Sequence, residues 1–134
     1  MAQITDEQRT EARRIVARRS SLATYIEQVR GWPLRDHQRP WVAAMDALAK
    51  GQLFLPDGRL TNRLLILAPP GGGKSDTAIN LAEWVIGRET ELGRVPQCGY
   101  VSYNDDVASA RSVAIRNTIE FDEGYHETFP HVIP

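Results

Sequence analysis

The sequence predicts an α/β fold, a three-layer sandwich with a parallel sheet between helices, preceded by N-terminal helices. Three observations predict it. Two short, uninterrupted apolar runs, "RLLILA" (63–68) and "CGYVSY" (98–103), have the pattern of strands buried on both faces. A helix-like stretch follows each run, and a strand–helix–strand–helix order implies parallel pairing. The first run enters its helix through a glycine-rich turn, "PPGGGKS".

Taken in chain order, residues 5–29 read as helix with a break at Ser20-Ser21. Thr5 and Gln8 have the spacing of a capping box. "RTEARRIVARR" carries five arginines from Arg9 to Arg19 that point to several sides; this is the pattern of a solvated helix, with a DNA or partner contact as the alternative. "GWPLRD" breaks the chain. Asp36 is suited to cap a second helix, "HQRPWVAAMDALAK", with Pro40 in its first turn and Gly51 at its end. "QLFLPDGRLTNR" reads as two short extended pieces about a Pro-Asp-Gly turn.

"KSDTAINLAEWVIG" places Ala78, Leu81, Ala82 and Val85 at helical spacing and closes on Gly87. "RETELGRVPQ" reads as loop. "DDVASARSVAIRNTIE" opens with aspartates suited to capping and continues as helix. "TIEFDEG" (118–124) ends in Asp-Glu, as a metal-binding strand would. A strand there would bury Glu120, whereas Ile115 and Ile119 continue the helical spacing, so the helix-end reading is preferred.

The bulk properties exclude several classes. A chain of 134 residues is one domain, or a piece of a larger one. It has no run of about 18 uncharged apolar residues to span a membrane. "MAQITDEQRTEARR" lacks the apolar core of a secretory signal, which points to a non-secreted protein. A single cysteine, Cys98, excludes an intramolecular disulfide framework, fits a reducing compartment, and reads as a small apolar strand residue. The net charge of −1 argues against a surface wholly devoted to nucleic-acid phosphate. Fourteen arginines stand against two lysines, Lys50 and Lys74, and one of those lysines sits in the glycine turn. His37, His126 and His131 are too scattered for a zinc site. Trp32, Trp41 and Trp84 read as packing residues rather than base-stacking platforms.

The glycine turn carries the chemistry. A phosphate cradle needs backbone N–H groups converging on anionic oxygens, a helix N-terminus aimed at them, and a lysine for the outer phosphates. A hydroxyl follows to hold Mg²⁺. Gly71, Gly72 and Gly73 supply the loop, Lys74 the cation and Ser75 the hydroxyl, with Asp76 completing the set. The pattern G-x-x-x-x-G-K-[ST] is met except at its first position, which is Ala68. The expected ligand is a nucleoside triphosphate, ATP, with Mg²⁺.

From about Arg18 to Pro130 the chain resembles the ATPase half of the phage terminase large subunit. The matching segments are "ARRSSLATYIEQV", "RDHQRPWVAAMDALAKGQ", "LLILAPPGGGKSDTAINLAEWVIGRE", "VSYNDDVASARSVAIRNTIE" and "YHETFP". Terminases of this type also replace the first loop glycine and carry two prolines, here Pro69 and Pro70. A tryptophan and glycine after the loop (Trp84, Gly87), the Ser102-Tyr103 pair and Phe129-Pro130 continue the likeness. The resemblance implies a P-loop NTPase fold, truncated: residues 1–34 as an N-terminal helical segment and 35–134 as the N-terminal part of the ATPase domain. It implies that Lys74 is catalytic, holding the β- and γ-phosphates, that Ser75 is the metal ligand, and that Gln38 reads the adenine edge. It also implies a homo-oligomeric ring in the host cytoplasm, working with double-stranded DNA, a portal protein and a small terminase subunit.

Two departures qualify those expectations. Gly71 and Gly72 stand where terminases commonly place an arginine and a polar residue, so an arginine to stabilise transition-state charge must come from elsewhere. The acidic strand for Mg²⁺ and water activation, and the nuclease domain, are not expected in these residues, so the chain is expected to bind ATP without efficient hydrolysis. The alternatives are a superfamily 2 helicase-like ATPase, whose adenine-reading segment resembles Leu34 to Gln38, and a non-catalytic nucleotide-binding module.

Overall fold

The computed structural model describes residues 3–133. Helix α1 (Asp6–Ser20) begins with the capping box expected of Thr5: its hydroxyl accepts from the Gln8 N–H while the Gln8 side chain accepts from the Thr5 N–H. Ser21 then ends α1 and caps α2 (Leu22–Gln28), as its short polar side chain in extended backbone allows. Helix α3 (Arg39–Ala49) starts two residues later than Asp36 would place it; Gln38 is the N-cap residue, Pro40 lies in the first turn, and Gly51 at φ 66° follows the helix. Phe54 and Leu60 form an isolated antiparallel bridge across the Pro-Asp-Gly turn.

Helix α4 (Lys74–Glu91) does not stop at Gly87 but runs a turn further. Helix α5 (Asp105–Phe121) is capped by Asn104, whose Oδ1 accepts from the Val107 N–H at 2.9 Å, with the two aspartates inside the first turn. Residues 118–121 belong to α5, as the helical spacing of Ile115 and Ile119 predicts. Asp122 caps the short α6 (Glu123–Thr128) and pairs with Arg30 at 3.0 Å.

The predicted α/β sandwich is not what forms. Among the described residues there are six helices and no strand. The segments expected to be strands, 63–68 and 98–103, have no regular structure and make no backbone-to-backbone hydrogen bond. Nor are they buried: Leu65 is 80% exposed, Leu67 83% and Val101 93%. An apolar run signals a preference for burial, but a strand exists only when a second segment completes its ladder, and none of the described residues does. Cys98 accordingly lies exposed in irregular chain.

The core is helical. Tyr25 and Ile26 of α2, Val42 and Met45 of α3, Trp84 of α4, and Tyr125 and Phe129 at the C-terminal end of the fold form one buried cluster. The α4 face chosen by its simple apolar residues is not the most buried one. Ala78, Leu81, Ala82 and Val85 border a 410 Å³ groove shared with Cys98, Tyr100 and Ile115. The fully covered stripe is Thr77, Asn80, Glu83, Trp84 and Gly87, which mixes polar groups into the core. Gly87 is needed there because Phe129 packs directly on its backbone: an added Cβ would stand 2.4 Å from the ring.

The buried polar groups are mostly paired. Glu83 accepts from the Tyr25 hydroxyl at 2.9 Å, and its carbonyl accepts from the Tyr125 hydroxyl at 3.0 Å. Trp84 Nε1 donates to the Arg18 carbonyl at 3.1 Å. Arg18 and Arg19 turn inward to α6, bonding Glu127 at 2.9 Å and the Thr128 carbonyl at 2.6 Å. Among the described residues no helix is long and apolar enough to cross a membrane.

Candidate phosphate-binding site

The glycine turn lies between irregular chain and the N-terminus of the longest helix. Gly71 and Gly73 both hold positive φ, 78° and 82°, which glycine adopts without steric penalty. Gly73, at φ 82° and ψ 15°, is left-handed, and Lys74 begins right-handed α4 immediately after it. Left- and right-handed residues in succession turn consecutive N–H groups toward one point, the concavity known as an anion nest. The first N–H groups of a helix also lack intrahelical partners, and the helix dipole adds partial positive charge there. The first closed turn here is the Thr77 N–H bonding the Gly73 carbonyl at 3.0 Å. The N–H groups from Gly73 to Asp76 have no backbone partner.

The structure brings all the sequence-predicted site residues together. Gly71, Gly72 and Gly73 form the turn; Lys74, Ser75 and Asp76 make the first turn of α4. Lys74 is exposed, and its Nζ folds back toward the Ala68 carbonyl at 3.4 Å. Ser75 is half-buried beside it. Gln38 reaches the turn from the start of α3, its Nε2 donating to the Gly72 carbonyl at 3.0 Å.

Four neighbours join the site, of which Arg111 and Asn80 escaped the sequence reading. His37 Nε2 lies 3.3 Å from that same Gly72 carbonyl, a hydrogen bond when this nitrogen carries the proton. Trp41 stands edge-on to His37, ring centroids 5.3 Å apart, and lies under the turn, 3.4 Å from a Cβ built at Gly72. Arg111 of α5 approaches Asp76 at 3.5 Å and brings a second cation to the first turn of α4. Asn80 is fully buried with its Nδ2 unpartnered. His37 left a trace in sequence beside Gln38 and Asn80 as an amide on an otherwise packed helix, whereas the places of Trp41 and Arg111 depend on how α3 and α5 meet the loop.

A 170 Å³ cavity opens beside the turn, bordered by Trp32, Pro33, Arg35, Gln38, Asp76 and Asn80 among others. Whole small-molecule ligands usually occupy about 300–1,000 Å³, so this cavity suits one part of a nucleotide. The remainder would lie in the open mouth of the loop.

The donor set also limits how a metal is held. Among the described residues no three His, Cys, Asp or Glu side chains cluster as metal ligands. Mg²⁺ commonly takes only one or two protein oxygens and fills its octahedron with phosphate and water. Ser75, beside the nest, fits such a metal delivered with phosphate, and Asp76 is held toward Arg111.

Comparison with protein-family models, with curated proteins and with solved structures gives no match.

Proposed function

We propose that the chain binds the polyphosphate of a nucleoside triphosphate, ATP, at the loop from Gly71 to Ser75. One observation carries the reading: the left-handed Gly73 joins right-handed Lys74 at the start of an 18-residue helix whose first N–H groups have no backbone partner. Anionic oxygens are the groups such an arrangement stabilises. Lys74 would take the outer phosphates and Ser75 one position on the accompanying Mg²⁺, which neutralises and orients phosphate oxygens. The resemblance to terminase large subunits extends the proposal. The chain would be the ATP-binding part of a DNA-packaging motor in the host cytoplasm, a homo-oligomeric ring acting with double-stranded DNA, a portal protein and a small terminase subunit.

A second reading, binding without turnover, is favoured by the pairing of Asp76 with Arg111, which engages the carboxylate of the first turn of α4 with a cation. Calorimetric titration of the chain with ATP and excess Mg²⁺ tests the shared part. Saturable binding is expected, weakened about tenfold or more by Lys74→Ala, because a charge-assisted phosphate contact is lost. Equal affinity in the wild type and Lys74→Ala would refute the site. Phosphate release measured on the same samples, with and without double-stranded DNA, tests for turnover, which would argue against the non-catalytic module.

A further inference from the structure

The geometry points to Gln38 as a positioning residue that sets the glycine loop in its phosphate-receiving form, rather than as a reader of the base. This inference rests on the proposed polyphosphate site and assigns Gln38 a different part in it.

Both ends of the Gln38 amide are already committed. Its Oε1 accepts from the Arg35 N–H at 3.0 Å and its Nε2 donates to the Gly72 carbonyl at 3.0 Å. The orientation of the amide follows from its partners, since one can only donate and the other can only accept. To pair with the edge of a purine, Gln38 would have to release the loop.

Holding the Gly72 carbonyl also orients the next N–H. In a trans peptide the C=O and N–H point to opposite sides, so a carbonyl drawn toward α3 directs the Gly73 N–H away from α3. That N–H belongs to the nest made with Lys74. His37 Nε2, 3.3 Å from the same carbonyl, reinforces the hold when that nitrogen carries the proton, and Trp41 supports the turn from below. A side chain at position 73 is disfavoured by φ 82°, and its Cβ would stand 2.5 Å from Gln38 Nε2, so the amide would have to move away from it. Loop and glutamine therefore sit in close contact, and a side chain at position 73 would displace the Gln38 amide from the Gly72 carbonyl.

The two roles predict different losses. A base reader matters to ATP alone; a loop positioner matters to any ligand that carries the phosphates. The test titrates the full chain with ATP, GTP and inorganic tripolyphosphate, each with excess Mg²⁺, for the wild type, Lys74→Ala, Gln38→Ala and Gln38→Glu. Gln38→Glu keeps the shape and the acceptor for Arg35 but turns the donor into a second acceptor facing the Gly72 carbonyl. Backbone amide NMR of the ligand-free proteins reports whether each variant is folded and where the Gly73 N–H resonates.

The expected result is a loss on the order of tenfold in both Gln38 variants, of the same factor for all three ligands. A displaced Gly73 amide signal in otherwise wild-type spectra should accompany it. Loss for ATP alone would overturn the inference in favour of base reading. Unchanged affinities, or an unmoved Gly73 signal, would overturn it outright. If the wild type binds none of the three ligands, or Lys74→Ala binds as well as the wild type, the polyphosphate site itself fails and this inference with it.

Discussion

Replacing Gly87 with alanine separates local helix preference from packing. Gly87 lies inside α4, where alanine is favoured over glycine by about 1 kcal/mol. Opposing this, the added methyl would lie 2.4 Å from Phe129 Cγ and Cδ2, about 1 Å inside the ordinary contact distance. The Phe129 ring is fully buried against Tyr25 and Tyr125, with ring centroids 6.0 and 5.1 Å away, so it has no free space to move into. Overpacking of this kind costs about 1–3 kcal/mol. Gly87→Ala is therefore expected to destabilise by up to about 2 kcal/mol after the propensity gain. Phe129→Ala should itself lose about 3–5 kcal/mol, and in that background Gly87→Ala should become stabilising by about 1 kcal/mol because only propensity remains. Urea unfolding of the four proteins, followed by helix circular dichroism, measures the cycle. A Gly87→Ala effect of the same sign in both backgrounds would refute the packing argument.

Two further predictions concern the core and the exposed segments. Burial pushes the Glu83 carboxyl above its usual range, and Arg30, 3.5 Å away, does not fully offset this. A carboxyl whose folded pKa is raised is most favourable when protonated, and it loses stability as pH climbs from the ordinary carboxylate range to the folded value. Glu83→Gln should therefore gain on the wild type between pH 4.5 and pH 7.5 in urea melts; a variant that falls further behind as pH rises would contradict this. The second prediction follows from the exposed Leu65, Leu67 and Val101, which lie on backbone with no hydrogen-bonded partner. The chain should self-associate with rising concentration, and Leu65→Lys with Leu67→Lys should reduce it. A wild-type chain that stays monomeric at high concentration in analytical ultracentrifugation would count against it.

The helices were legible because their signals are local. The Thr5–Gln8 box, Ser21 between two helices, Pro40 in a first turn and the spacing of Ile115 and Ile119 each act within a turn or so of chain. The predicted sheet was a misreading, because Leu64 to Leu67 and Val101 report only apolar character, whereas pairing requires another segment at the right distance, and none of the described residues supplies it. The end of α4 was misjudged at Gly87 because a glycine that normally closes a helix serves here as the seat of an aromatic ring 42 residues later in the chain. The site divides the same way. Gly71 to Asp76 could be read as one contiguous motif, whereas the hold of Gln38 and His37 on Gly72 and the approach of Arg111 to Asp76 arise only when α3 and α5 pack beside α4.

The most direct test of the central claim is a titration of the ¹⁵N-labelled chain with magnesium tripolyphosphate, following the amide signals of Gly71, Gly72, Gly73 and Lys74. The account predicts saturable shifts centred on these residues and the first turn of α4, lost in Lys74→Ala. Shifts spread over the arginines of α1, or no shifts at millimolar ligand, would contradict it.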